Sequence, residues 1–271
     1  MDRDEQARQA AIAFENVSIG FGGQDVLDDV SFTLGHGETK SLFGVAGAGK
    51  TLILKLVLGL VRPDAGRIFV LGQEVTAMTE HETFPLRRRI GMVFQESALF
   101  DSLTVEENVA FRLLEEGVHE EDVRGRVLEA LRFVELEHTI NMLPSELSGG
   151  MRRRVAIARA IITQPEILLY DSPTGGLDPV TSNTIIELLV KQRDEYHTSA
   201  LLVSHRLPDA FTMATHVYDS KQERMVPVRK GSHVNTHTGF VVLKDGHKIF
   251  EGTADALVNS SEPYLREYLR Q

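Results

Sequence analysis

Residues 44–51 read Gly-Val-Ala-Gly-Ala-Gly-Lys-Thr, a spacing of small residues, a cation and a hydroxyl that suits phosphate chemistry. Gly44, Gly47 and Gly49, with Val45, Ala46 and Ala48 between them, let the backbone wrap an anion with its N–H groups inward. Lys50 is placed to reach the β- and γ-phosphates of a nucleotide, and the Thr51 hydroxyl to ligate Mg²⁺. Ser41-Leu42-Phe43 leads in as a strand. Leu52 to Leu60 follows as a helix with apolar residues all round, which predicts that it is buried.

A second element of the same chemistry lies further down the chain, Leu147-Ser148-Gly149-Gly150-Met151. It heads a helix running from Gly149 to Ile162. Ser148 is either a plain N-cap followed by flexible glycines or, with the N–H groups of Gly149 and Gly150, an anion-binding helix head. Under the second reading one nucleotide has two half-sites. In a two-fold homodimer each Ser-Gly-Gly would close on the nucleotide held by the other protomer.

Other candidates fall at the ends of apolar runs. Asp171 closes Ile167–Tyr170, where a carboxylate can hold Mg²⁺ through water or simply cap a helix. His205 follows Leu201–Val203, and Gln95 follows Ile90–Phe94 and offers an amide oxygen to metal or water. Phe21, before Gly22-Gly23, reads singly as a core residue and, in the company of the others, as a ring for stacking on a base.

These residues need a scaffold, and composition bounds it. The 271 residues suit one large domain or a domain with an inserted subdomain, with 42% hydrophobic and 25% charged residues. The net charge of −10 argues against a nucleic-acid partner held by bulk electrostatics. Arg87-Arg88-Arg89 and Arg152-Arg153-Arg154 are candidate basic patches, with solvated faces or interface ion pairs as the plainer reading. The absence of cysteine excludes disulfides and thiolate metal sites. The N-terminus lacks the apolar stretch of a signal peptide. The longest apolar run, Thr51–Val61, is broken by Lys55 and is far short of the ~20 residues of a membrane span. A soluble protein is expected, touching a membrane only through a partner.

The pattern along the chain alternates in type. Residues 11–43 read as strands turning at Gly22-Gly23 and Gly35-His36-Gly37, and residues 66–94 read as strands again. Residues 95–162 read as helices, one opened by the capping box Thr104-Val-Glu-Glu107. Ile167–Tyr170 and Ala200–Val203 read as buried parallel strands around a helix capped by Asp178-Pro179. Residues 219–239 are polar without period and read as a long loop, in which His233 and His237 stand without a helix to make them a metal pair. A hairpin turning at Asp245-Gly246 follows.

Taken in order, GVAGAGKT, Gln95, LSGGM, LLYD, Gly176-Leu177-Asp178 and His205 resemble the ATP-binding cassette (ABC) ATPases over residues 12–257. The stretches 93–111 and 143–151, with Met151 at the fifth signature position, are similar to the ATPase subunits of Mla-type, MCE-associated phospholipid transporters. The resemblance implies an α/β fold. Its P-loop NTPase (RecA-like) core spans about 12–94 and 163–257, with an N-terminal antiparallel β-subdomain, an inserted helical subdomain at about 95–162, and a short tail at 258–271. It implies ATP and Mg²⁺ as cofactors and a homodimer beneath an MlaE-type integral-membrane permease with an MCE-domain protein, peripheral to the inner face of the cell membrane. Phe21, residues 44–52, Ser148, Gly149, Gly150 and Asp178 would hold ATP. Thr51, Gln95 and Asp171 would hold the metal, and Asp171, Ser172, His205 and Gln95 would serve hydrolysis.

The chain also departs from that family. Ser172 stands where the family places the glutamate that serves as general base, Leu52 replaces a hydroxyl residue, and Ala46 and Ala48 occupy positions where serines are common. A serine hydroxyl cannot take a proton from water at neutral pH without its own base. Slow hydrolysis is therefore expected, with His205 the remaining residue to orient water. A hydrolysis-impaired, ATP-gated assembly subunit is the alternative. A non-transport ABC ATPase is disfavoured, because one cassette without a long coiled coil fits neither the translation nor the repair type.

Overall fold

The computed structural model describes residues 7–45, 47–228 and 236–269. Two sheets and a helical insert are built on it. The first sheet is antiparallel, in the order β2 (Gln24–Leu34), β1 (Ile12–Phe21), β4 (Ala65–Val70), β5 (Gln73–Glu74). The second has six strands in the order β12 (His247–Gly252), β11 (Thr238–Lys244), β3 (Thr39–Phe43), β8 (Ser199–Val203), β7 (Ile167–Asp171), β6 (Ile90–Val93). Its strands from β11 to β6 are parallel neighbours, and β12 is antiparallel to β11.

Every residue of β3, β7 and β8 is buried, the pattern of strands covered on both faces. Helix α1 (Lys50–Val57) lies between the two sheets and buries Ile53, Leu54, Leu56 and Val57 in one cluster with Phe14, Val30, Ile68, Leu169 and Leu201. It is shorter than the apolar run promised: Lys55 is exposed, the helix stops at Val57, and Leu60 stands 56% exposed.

The run 66–94 is not all strand. Helix α2 (Glu80–Arg87) interrupts it, opened by a capping box in which the Glu82 carboxylate accepts from the Thr79 N–H at 2.7 Å. The helical insert carries α3 (Val105–Glu115), α4 (Glu120–Phe133) and α5 (Gly149–Ile161). Thr104 caps α3 through the Glu107 N–H, as its sequence predicted. Val109, Leu113, Val127, Leu131, Val155 and Ile157 join α3, α4 and α5 into a core of their own, continuous with the sheet through Leu168 and Tyr170.

Helix α6 (Pro179–Tyr196) crosses between β7 and β8, and α7 (Leu207–Thr215) follows β8. The region read as a long loop holds an antiparallel hairpin, β9 (His216–Asp219) and β10 (Arg224–Pro227), laid on α6. The Met225 N–H donates to Glu187 and the Tyr218 N–H to Asp194, so α6 supplies a period that the hairpin's own residues lack. His233 lies outside the described residues. Beyond β12 the chain forms α8 (Ala254–Val258) and α9 (Pro263–Tyr268), whose Leu265 is buried with Phe240 and Leu257.

Candidate nucleotide site

Strand register puts the chemistry along one edge. Leu42 pairs with Val203, Val203 with Asp171, and Tyr170 with Val93. The chain therefore leaves the sheet at Gly44, Ser204, Ser172 and Phe94 on the same side, the carboxyl ends of parallel strands where open α/β sheets bind ligands.

The loop after β3 reaches α1 through Gly49, whose φ is +82°. A Cβ there would stand 2.7 Å from Leu27 Cδ2, so glycine is needed for both conformation and space. No side chain caps α1, and its first turn holds no acidic residue, leaving the positive end of the helix to an anion. Lys50 Nζ donates to the carbonyls of Gly44 and Val45, both at 2.8 Å, curling over the loop. Burial pushes the Lys50 ammonium below its ordinary range, and the facing Asp171 carboxylate opposes that shift. Ala46 lies outside the described residues; Ala48 is buried, and Leu52 is half-buried against the core around α1.

Asp171 ends β7 and is 8% exposed, while Thr51 and Gln95 are exposed. All three are hard oxygen donors. Their side chains carry no hydrogen bond among the described residues, so the set fits a hydrated Mg²⁺ shared with phosphate oxygens. Phe21, at the end of β1, presents its ring 56% exposed beside the Gly22-Gly23 turn. It is not the core residue that its type alone suggests.

The segment after Asp171 is tightly held. Ser172 is buried with φ at +45°, a conformation uncommon for a side-chain-bearing residue. Its N–H donates to Val203 O at 2.8 Å, and its carbonyl accepts from the Gly175 N–H at 2.9 Å, closing a turn. His205 is exposed at the mouth of β8, with Cε1 3.7 Å from where a Cβ on Gly175 would stand. Beneath it the Thr174 hydroxyl donates to Asp209, a buried carboxylate whose pKa burial pushes up. Asp209 was invisible as a site residue in the sequence, because only the packing of α7 brings it under the turn.

The Ser148 head lies on the insert. Ser148 Oγ accepts from the Met151 N–H at 3.2 Å, so it is an N-cap in the single chain. Gly149 is exposed. Gly150 is a packing glycine: a Cβ there would meet Thr181 Cγ2 at 2.4 Å. Asp178 caps α6 through the N–H groups of Val180 and Thr181, both at 3.0 Å, and its carboxyl is held below the usual range first by the Thr181 hydroxyl. The arginine triplets divide between surface and interior: Arg88 and Arg152 are exposed, as a solvated face would be, while others turn inward. Arg153 is 5% exposed and donates to the carbonyls of Ser172 and Gly175, and Arg154 donates to Val134 O. Arg87 reaches the Leu58 carbonyl, and Arg89 pairs with Glu166. Helical periodicity could have found Arg153, which shares one face of α5 with Ala156, Ile157, Ala160 and Ile161, all buried.

Near Gln95 an aromatic cleft of about 380 Å³ opens, lined by Met92, Phe94, Phe100, Phe111, Arg112 and Arg159. Phe94, Phe100 and Phe111 are 45%, 43% and 39% exposed, enough apolar surface in one place to mark a contact site. Among the described residues no helix is long and apolar enough to cross a membrane.

Residues 27–175 match the family described as ABC transporter. The methionine import ATP-binding protein MetN 2 of Bacillus cereus is 37% identical over 262 residues, which cover 95% of this chain and 72% of that one. The intermembrane phospholipid transport system ATP-binding protein MlaF of Escherichia coli is 30% identical over 266 residues, covering 98% and 90%. Among solved structures, the ATP-binding cassette MJ0796, described as dimeric in a post-hydrolysis state bound to ADP and Pi, superposes with a TM-score of 0.72. It is 30% identical, with 89% of this chain and 98% of that one covered.

Proposed function

The chain belongs to the ABC transporter family as an ATP-binding subunit, and from that premise we propose that it drives phospholipid transport as a homodimer closed by ATP beneath a membrane permease. The observation that carries the dimer is the presence in one chain of two helix heads without an acid in the first turn, at Gly49 and at Ser148. The first holds the nucleotide of its own protomer, with Lys50 on the phosphates and the exposed Phe21 ring on the base. The second, Ser148-Gly149-Gly150, together with Asp178, closes on the nucleotide of the partner. Thr51, Gln95 and Asp171 would hold Mg²⁺, which when bound neutralises phosphate charge.

Hydrolysis is the weak step in this reading. Ser172 provides no base, and His205, beside the Gly175 turn, is left to orient water. Loss of a general base typically costs 10²–10⁴-fold in rate. ATP therefore grips the dimer for longer than it would with a carboxylate at this position. The cleft at Phe94, Phe100 and Phe111 receives the permease, which makes the protein peripheral to the inner membrane face.

Lipid as cargo is supported by the Met151 signature and by the relative whose name is phospholipid transport. Methionine import is the second reading, favoured by the higher identity of the relatives bearing that name. Reconstitution with an MlaE-type permease separates them. ATP turnover stimulated by phospholipid vesicles carrying an MCE-domain partner, and unmoved by methionine, is the expected result. Stimulation by methionine alone assigns the other cargo.

A further inference from the structure

Arg153 is buried beside the site, 5% exposed, and its guanidinium is held by backbone carbonyls. Its two terminal nitrogens go to backbone carbonyls, Nη1 to Ser172 at 3.0 Å and Nη2 to Gly175 at 3.4 Å, and its Nε is buried without a partner. Burial lowers its pKa, and the acid that opposes this is Glu96, directly after Gln95. A buried cation satisfied by carbonyl dipoles and left with one idle donor is a costly arrangement for stability alone. Arg153 therefore joins two segments, α5 and the turn from Ser172 to Gly175.

Two further arginines of α5 also donate to backbone carbonyls. Arg159 donates to the carbonyls of Ser97 and Ala98 at 2.8 Å, both residues with positive φ, and Arg152 donates to Leu147 O at 2.6 Å. One helix thus carries Ser148 at its head and grips, through Arg153 and Arg159, the backbone of two of the four segments that leave the sheet at this edge. Short, fork-shaped donors to fixed carbonyls transmit displacement with little slack, because a planar guanidinium has few ways to follow a moving turn without pulling its helix.

We propose that Arg153 is a positioning residue that couples the nucleotide held by its own chain to the Ser148 head offered to the partner, so that the two sites of a dimer close together. The coupling rests on the dimer proposed above. Occupation of the phosphate loop shifts the Ser172–Gly175 turn, and Arg153 carries that shift along α5 to Ser148. Arg153 touches neither nucleotide nor water in this arrangement.

The test uses the full chain with Mg²⁺-ATP and two variants, Arg153→Met and Arg153→Lys. Single-site affinity is read from a fluorescent ATP analogue at protein concentrations below dimerisation, and dimerisation from light scattering against ATP concentration. In Arg153→Met, single-site affinity stays within about threefold of the parent, while the ATP concentration that half-saturates the dimer rises at least about tenfold and its Hill coefficient falls from near 2 towards 1. Arg153→Lys, which keeps the charge without the fork, lies between the two. A structural role alone would lower the melting temperature and affect affinity and dimerisation together. A parent chain that dimerises with ATP, beside an Arg153→Met chain that dimerises at the same ATP concentration with the same Hill coefficient, overturns the coupling and leaves the dimer intact. A parent chain that stays monomeric at saturating ATP overturns the dimer, and the coupling with it.

Discussion

The heads of α1 and α5 look interchangeable as sequence, each a pair of small residues opening a helix with no acid in its first turn, yet they differ in what they lack. Gly49 leaves α1 without any side-chain cap, and the helix body is fixed between two sheets by Ile53, Leu54, Leu56 and Val57. That head is complete within one chain and open to a ligand. At α5 the Ser148 hydroxyl already serves the Met151 N–H, and Gly150 is pressed against Thr181 of α6. That head is satisfied when alone and must exchange part of its cap to take an anion. The first is a preformed site. The second responds to what its neighbours do.

If the preformed site grips ATP but lacks the base to cleave it, Ser172→Glu separates grip from cleavage. Turnover in the permease complex rises about 10²–10⁴-fold, measured as phosphate release, while ATP affinity of the single chain changes little. A parent protein that already turns over at the rate of the glutamate variant removes the distinction.

The contrast between the heads predicts a smaller and opposite pattern for Ser148→Ala. Losing the cap costs about 1 kcal/mol of stability, read from denaturant unfolding. The variant also needs more ATP to dimerise, with the single-site affinity set at α1 unaltered. Equal losses at both sites would show that the Ser148 cap supports the fold of the whole chain rather than the closing of the dimer.

The smallest effect is one of pH, beneath the turn that joins the two regions. Burial raises the Asp209 pKa, so its folded state favours the protonated acid. The stability from that preference is fully present below the ordinary aspartate value near about 4 and is lost as pH rises through the raised value. In Asp209→Asn this loss disappears, so the melting temperature of the variant relative to the parent climbs between pH 4 and pH 7. A difference that stays flat across that range places the Asp209 charge outside the energetics of the turn.

Legibility followed the range of the interactions. The phosphate loop, the Thr104 and Asp178 caps, and the apolar strands β7 and β8 depend on neighbours a few residues away, and each was visible as pattern. Helix α2 was missed because its capping box sits in a short segment between strands, where length argues for strand. The β9–β10 hairpin was missed because its order comes from Glu187 and Asp194 on α6. Arg153 was misread because three consecutive arginines look like surface until Arg153 alone is counted with the buried face of α5 at Ala156, Ile157, Ala160 and Ile161.

The sequence by itself determined that an anion could be held, and where, since a glycine-rich turn into an apolar helix needs only local backbone freedom and burial. It also determined that a hydroxyl rather than a carboxylate follows Asp171, which is a matter of residue type. Only the tertiary structure decided which groups meet. Parallel register brings Gly44, Gln95, Ser172 and His205 to one edge, α7 slides Asp209 beneath Thr174, and α5 turns Arg153 inward onto the Ser172 carbonyl. Those contacts join residues far apart in the chain, and it is packing of the sheet against its helices, rather than any local preference, that selects them.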